Sequence, residues 1–116
     1  MTAPIFTDAQ VIAQLDSGYK WSSSTITYSF PTAAAGIYYT DENKGFIAAT
    51  LTQQALFKTA LQSWDDLISP NFLEVASGSP GSTYLTSNID IAYSTVGVSY
   101  AHAYYPTVGS AWFNAN

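Results

Sequence analysis

Residues 50–67 carry the one long helical pattern of this chain, and it stands between two strand-like runs. That order constrains the fold more than any other feature. Thr50 and Gln53 have capping-box spacing, in which a hydroxyl and an amide each satisfy a backbone group at the helix start. Phe57, Ala60, Leu61, Trp64 and Leu67 then recur at helical spacing, a stripe that predicts burial. Asp65 and Asp66 fall near the C-terminal end, where the helix dipole disfavours anions. Ser69, Pro70 and Asn71 end the pattern. Upstream, residues 24–30 alternate. Ile26, Tyr28 and Phe30 point one way and Thr25, Thr27 and Ser29 the other, which predicts a half-buried strand closed by Pro31. Downstream, residues 72–75 read as the next strand. Strand, crossover helix and strand favour a right-handed parallel connection.

The remaining pieces add to this unit. Residues 7–15 predict a short helix, with Thr7 and Gln10 as a second capping box, Val11, Ile12 and Leu15 as its apolar face, and Gly18 as its stop. Residues 32–49 read as loop, with Ile37, Tyr38 and Tyr39 as a possible short extended piece. Three more strands are expected at residues 89–93, 100–105 and 111–113. A turn-rich connector at 77–82 precedes them, and Val96-Gly97 separates the first two. The sum is a single α+β domain spanning residues 1–116, one mostly twisted sheet with helices on one face.

Composition narrows the function classes. Apolar residues make up 47% of the 116, enough for a core and too many for a disordered chain. Only 9% are charged, so Ser, Thr, Asn, Gln and Tyr must carry the surface. The net charge is −5, with three lysines and no arginine. Nucleic acid and anionic membrane surfaces, which both need a basic face, are therefore not expected partners. With no cysteine, no disulfide or thiolate chemistry is available. No run approaches a membrane span, and no signal peptide is visible in the first residues.

Candidate chemistry is sparse. His102 is the one histidine, set between Ala101 and Ala103 with Tyr100 and Tyr104 on its face of the strand. A zinc site needs three or four convergent ligands, and no Gly-x-Ser-x-Gly elbow accompanies the His, so a surface or packing role is read for it. Glu74 and Asp90 sit on neighbouring strand candidates and read as solvent-facing members of them. Asp41, Glu42, Asn43 and Gly45 hint at a calcium loop but lack further oxygen ligands, which favours a solvated turn. Trp64 and Trp112 are expected in the core, and Trp21, beside Lys20 in a polar loop, at the surface. The strand from Tyr100 to Tyr105 can also serve without side-chain chemistry, because an edge strand offers backbone groups to an extended peptide. Pattern alone does not separate such an edge from an internal strand.

Three segments together resemble the N-terminal part of serralysin-type zinc metalloproteases, a metzincin branch of the M10-like peptidases. They are Gly18-Tyr-Lys-Trp21 with Ile26-Thr-Tyr-Ser-Phe30, then the helix from Gln53 to Gln62-Ser-Trp64 leading into Phe72-Leu-Glu-Val75, then Ala101-His-Ala-Tyr-Tyr-Pro106 with Gly109-Ser-Ala-Trp-Phe-Asn114. The helix ending in Gln-Ser-Trp is the most specific of these. The resemblance implies the upper subdomain of a metzincin. That is a twisted, mostly parallel five-stranded sheet with one antiparallel edge strand and two helices on one face. It implies that Tyr100, Ala101, His102, Ala103 and Tyr104 bind an extended peptide or protein substrate along that edge. The family's next element is the zinc helix His-Glu-x-x-His-x-x-Gly-x-x-His, expected beyond Asn116.

Zinc, with calcium as a second candidate, is thus implied for a full-length secreted parent. This chain is left with no catalytic residue, metal ligand or cofactor of its own. The parent's C-terminal subdomain would be its other partner. Ala101-His-Ala103 also resembles the matrixin version of the strand, where the His helps bind a structural zinc. Trp112 stands at the later partner position, and residues 94–99 hold no acid or His, so that zinc is not expected here. Two alternatives stay open: a stand-alone pseudo-protease domain that binds peptides through its edge strand, and a small aromatic-rich carbohydrate-binding domain.

Overall fold

Both capping boxes form as their spacing predicts. In the computed structural model, which describes residues 4–33, 41–76, 87–106 and 109–116, helix α1 (Asp8–Leu15) starts at Thr7 and α2 (Leu51–Asp65) at Thr50. The Thr50 hydroxyl accepts from Gln53 N at 3.2 Å, and the Gln53 side chain accepts from Thr50 N at 2.8 Å. The strands are β1 (Thr25–Ser29), β2 (Phe46–Ile47), β3 (Asn71–Glu74), β4 (Ile89–Ser94), β5 (Ala101–Ala103) and β6 (Ser110–Asn114).

The sheet runs β3-β1-β4-β6-β5. The first three pairings are parallel and β5 lies antiparallel on β6, at the edge. This is the expected mixed α+β class, with a mostly parallel sheet and an antiparallel edge strand. β2 is an addition. It pairs antiparallel with Tyr93 and Ser94 of β4, past the point where β1 has left off at Asp90. Two residues are too few for alternation to register, so the sequence pattern hid it within a loop. The possible extended piece at 37–39 and the whole of the connector at 77–82 lie outside the described residues.

The two faces of the sheet differ. Tyr28, Phe30, Ala49 and Ile91 form a buried apolar cluster, with Phe57 and Leu61 of α2 packed against it. The helical stripe is shorter than its periodicity implies. α2 meets the sheet through its middle turns, while Trp64 is 59% and Leu67 77% exposed. Trp64 is therefore not a core residue. Ala60 is exposed as well, and so is all of α1, including Val11, Ile12 and Leu15. Asp65, badly placed for the helix dipole, accepts a hydrogen bond from Phe72 N at 2.7 Å and so ties the helix end to β3.

The opposite face carries small hydroxyl side chains. Ser29, Ser94 and Ser110 are buried there with Asp90 and Trp112. The Asp90 carboxyl accepts from Ser29 Oγ at 2.6 Å and also from Ser87 Oγ. Asp90 thus departs from the solvent-facing reading, because hydroxyl donors on β1 and before β4 replace water around it. Glu74 keeps that reading, half-exposed beside Lys58 at 2.8 Å. Asn88 joins the same strands, its Oδ1 accepting from Thr27 N at 2.9 Å. Gly109 enters β6 at φ +70°, where a Cβ would lie 1.8 Å from Asn88 O and 3.0 Å from the Trp21 ring. That close packing leaves Trp21 half-buried rather than at the surface.

Candidate functional site

The site is built from a turn that sequence marked as solvated. Asp41 and Lys44 behave that way, pairing at 2.9 Å with both side chains more than 60% exposed. Between them Glu42 is 0% exposed. It opens a 3₁₀ turn, Glu42–Gly45, that is pressed onto the end of β4. A Cβ on Gly45 would fall 2.5 Å from Thr95 Oγ1 and 2.8 Å from Val96 N, so the approach needs glycine. Gly45 O accepts from Thr95 N at 3.0 Å, and Ser94 Oγ donates to Glu42 O at 2.7 Å. The solvated-turn reading holds for Asp41 and fails for Glu42.

The buried carboxyl reaches under the sheet edge. Glu42 Oε1 accepts from His102 Nε2 at 2.7 Å and from the Tyr104 hydroxyl. With Glu42 ionised its oxygen accepts, and His102 Nε2 is then the donor. The two rings stand nearly perpendicular, 5.5 Å apart and at 76°. A buried acid is costly unless donors replace its water, and here two do. His102 faces Trp112 across the β5–β6 ladder, and Trp112 packs with Ala92, Val98, Phe46 and Tyr104. His102 is therefore bonded on its inner side and one-third exposed on the other.

Register decides which backbone groups the edge offers. Tyr104 N donates to Ser110 O at 3.0 Å, and Asn114 N donates to Tyr100 O at 2.8 Å. In an antiparallel ladder inward and outward groups alternate, so His102 also bonds towards β6 while Ala101 and Ala103 turn their N–H and C=O outward. Both alanines are exposed. Of the five expected substrate-binding residues, Ala101, His102 and Ala103 form β5, and Tyr100 and Tyr104 flank it. The flanks are fixed. Asn114 Nδ2 donates to Val98 O and Ser99 O, and Tyr105 stacks on Tyr19 at 4.7 Å. A hollow of about 360 Å³, lined by Tyr93, Ser99, Tyr100, Phe113, Asn114 and Asn116, opens at the start of the strand.

Sequence reasoning missed Glu42, whose partners lie 60 and 62 residues away. No local pattern separates it from Asp41. The described residues do not fit a zinc centre: they contain no group of three or more His, Cys, Asp or Glu able to hold an ion. Among them, too, no helix is long and apolar enough to cross a membrane.

No family model matches the chain. It is similar to Serralysin G of Dickeya chrysanthemi, 35% identical over 100 residues. That alignment takes in 81% of this chain and 21% of the relative, so the chain spans about a fifth of that protein's length. The likeness supports the serralysin-type resemblance of the motifs, at the level of a metalloprotease-related domain.

Proposed function

We propose that this chain is the N-terminal part of the catalytic domain of a secreted, serralysin-like zinc metalloendopeptidase, and that β5 receives substrate in extended form. The observation that carries the reading is the position of β5. It is an antiparallel strand at the edge of a parallel sheet, with Ala101 and Ala103 turned outward. A peptide adds to such an edge through main-chain hydrogen bonds, and neighbouring hollows receive its side chains. The hollow at Tyr100 is suitably placed. Similarity to Serralysin G supports the protease context. The zinc ligands of the parent would come from outside these residues, and the isolated chain would cleave nothing.

Peptide titration followed by amide NMR tests the edge. An acetylated, amidated six-residue Val–Thr repeat should shift the Ala101 and Ala103 amides; no shift at millimolar peptide would count against the role. Zinc titration tests the inactive-alone reading, because tight stoichiometric binding would contradict it. The coding sequence beyond Asn116 tests the parent. A His-Glu-x-x-His within roughly 30 residues is expected. A stop codon at that point would favour a stand-alone peptide-binding module instead.

A further inference from the structure

We propose that Glu42 is the positioning residue of the edge strand, holding β5 in the plane that presents Ala101 and Ala103 to a peptide. The inference rests on the reading of β5 as a peptide-pairing edge and names the device that makes the edge usable.

β5 has three residues and, among the described residues, a single neighbouring strand, β6. One short ladder fixes its register but holds its tilt weakly, since a lone pair of strands is marginal by itself. Glu42 supplies a second attachment that bypasses β6. Its turn is anchored on β4, the centre of the sheet, through Gly45 O, Ser94 Oγ and the β2 pairing. Its carboxyl then meets His102 and Tyr104, two side chains on the same face of the edge segment. Two donors at alternate positions, bonded to one oxygen, fix the direction of the strand and its rotation about its own axis. Ala101 and Ala103 are thereby held pointing away from β6. The carboxyl is fully buried and His102 shields it, so a substrate would meet the consequence of Glu42 and never the residue itself.

NMR on the 116-residue chain tests this with the same Val–Thr probe. Glu42→Gln, which keeps an acceptor oxygen but removes the charge, should speed amide exchange at His102, Tyr104 and Asn114 by roughly tenfold, the scale of the lost charge assistance. It should also shift the Nε2-bonded proton signal of His102, weaken the probe about tenfold, and leave β1 and β4 exchange unchanged. His102→Ala should do the same to the strand, and His102→Gln, which keeps an N–H donor at similar reach, should restore it. Tyr104→Phe removes a single hydroxyl and decides the matter should Glu42→Gln fail to fold. Wild-type exchange at His102 and Tyr104 in both Glu42→Gln and Tyr104→Phe would overturn the role. So would equal acceleration in every strand, which marks a loss of stability alone. A probe that binds wild type and Glu42→Gln equally would sink the positioning role and leave the peptide reading intact. A probe that never binds, with exchange at β5 selectively faster in Glu42→Gln, would sink the peptide reading and support the positioning role.

Discussion

Asp41 and Glu42 are chemically alike and adjacent, yet one is 62% exposed in its side chain and the other fully buried. Nothing within five residues could have told them apart, because the donors that draw Glu42 inward lie some sixty positions downstream. Residue-scale chemistry was legible only where it was local, as in the two capping boxes. Thr50→Ala should lower stability by about 1 kcal/mol, read as a shift in the urea midpoint. Gly109 exemplifies the opposite case. Its identity is set by Asn88 O and by the Trp21 ring, which only the folded chain brings close. Gly109→Ala should cost about 2 kcal/mol or more, since it adds a positive-φ penalty to a backbone collision. An unchanged urea midpoint would mean that β6 begins elsewhere. Asp65 joins the two cases: its misfit with the dipole was visible, and the Phe72 N–H that resolves it was not.

At the scale of elements, strands and helices were read well wherever a period ran for several residues. β1 and α2 are within a residue or two of expectation, while the two-residue β2 left no trace in the pattern. Periodicity also overstated burial. It reports which side chains share a face, and only tertiary packing decides how much of that face is covered. α1 shows this most sharply, with an apolar face and no buried residue. Two turns without packing are marginal in water, so α1 amides should exchange at least tenfold faster than those of central β4. Protection equal to β4 would mean that something covers the helix in solution. In β6, Trp112 is 3% exposed and central to the second core. Trp112→Ala should cost about 3 to 5 kcal/mol, measured by denaturant unfolding.

For the whole molecule, the parallel order of the sheet followed from one strand–helix–strand unit, but the placement of β4 between β1 and β6 did not. That placement depends on contacts such as Asn88 with Thr27, which join distant segments and have no local signature. The assembled molecule also has a directional response to pH. The Tyr28 phenol is raised above 10.0, chiefly by burial and further by Glu74, with Lys58 opposing. Lys58 is raised above 10.5, chiefly by its hydrogen bond with Glu74. Both groups hold their proton more tightly folded than unfolded. Stability from them is complete below about pH 10 and falls as pH climbs through the raised values. Solvent screens the half-exposed Lys58–Glu74 pair, so Tyr28 carries the larger part. Urea midpoints should fall between about pH 9 and about pH 11, and Tyr28→Phe should flatten the fall. The contrast between the two sheet faces has one more consequence. Sliding β4 by one residue along β1 would turn Asp90 towards α2 and bring an isoleucine, Ile89 or Ile91, to the face of Ser29. Apolar side chains tolerate small displacements, but the hydroxyl bond from Ser29 to Asp90 does not. Misaligned pairings are therefore rejected chemically as the sheet zips up, and folding carries its own proofreading step.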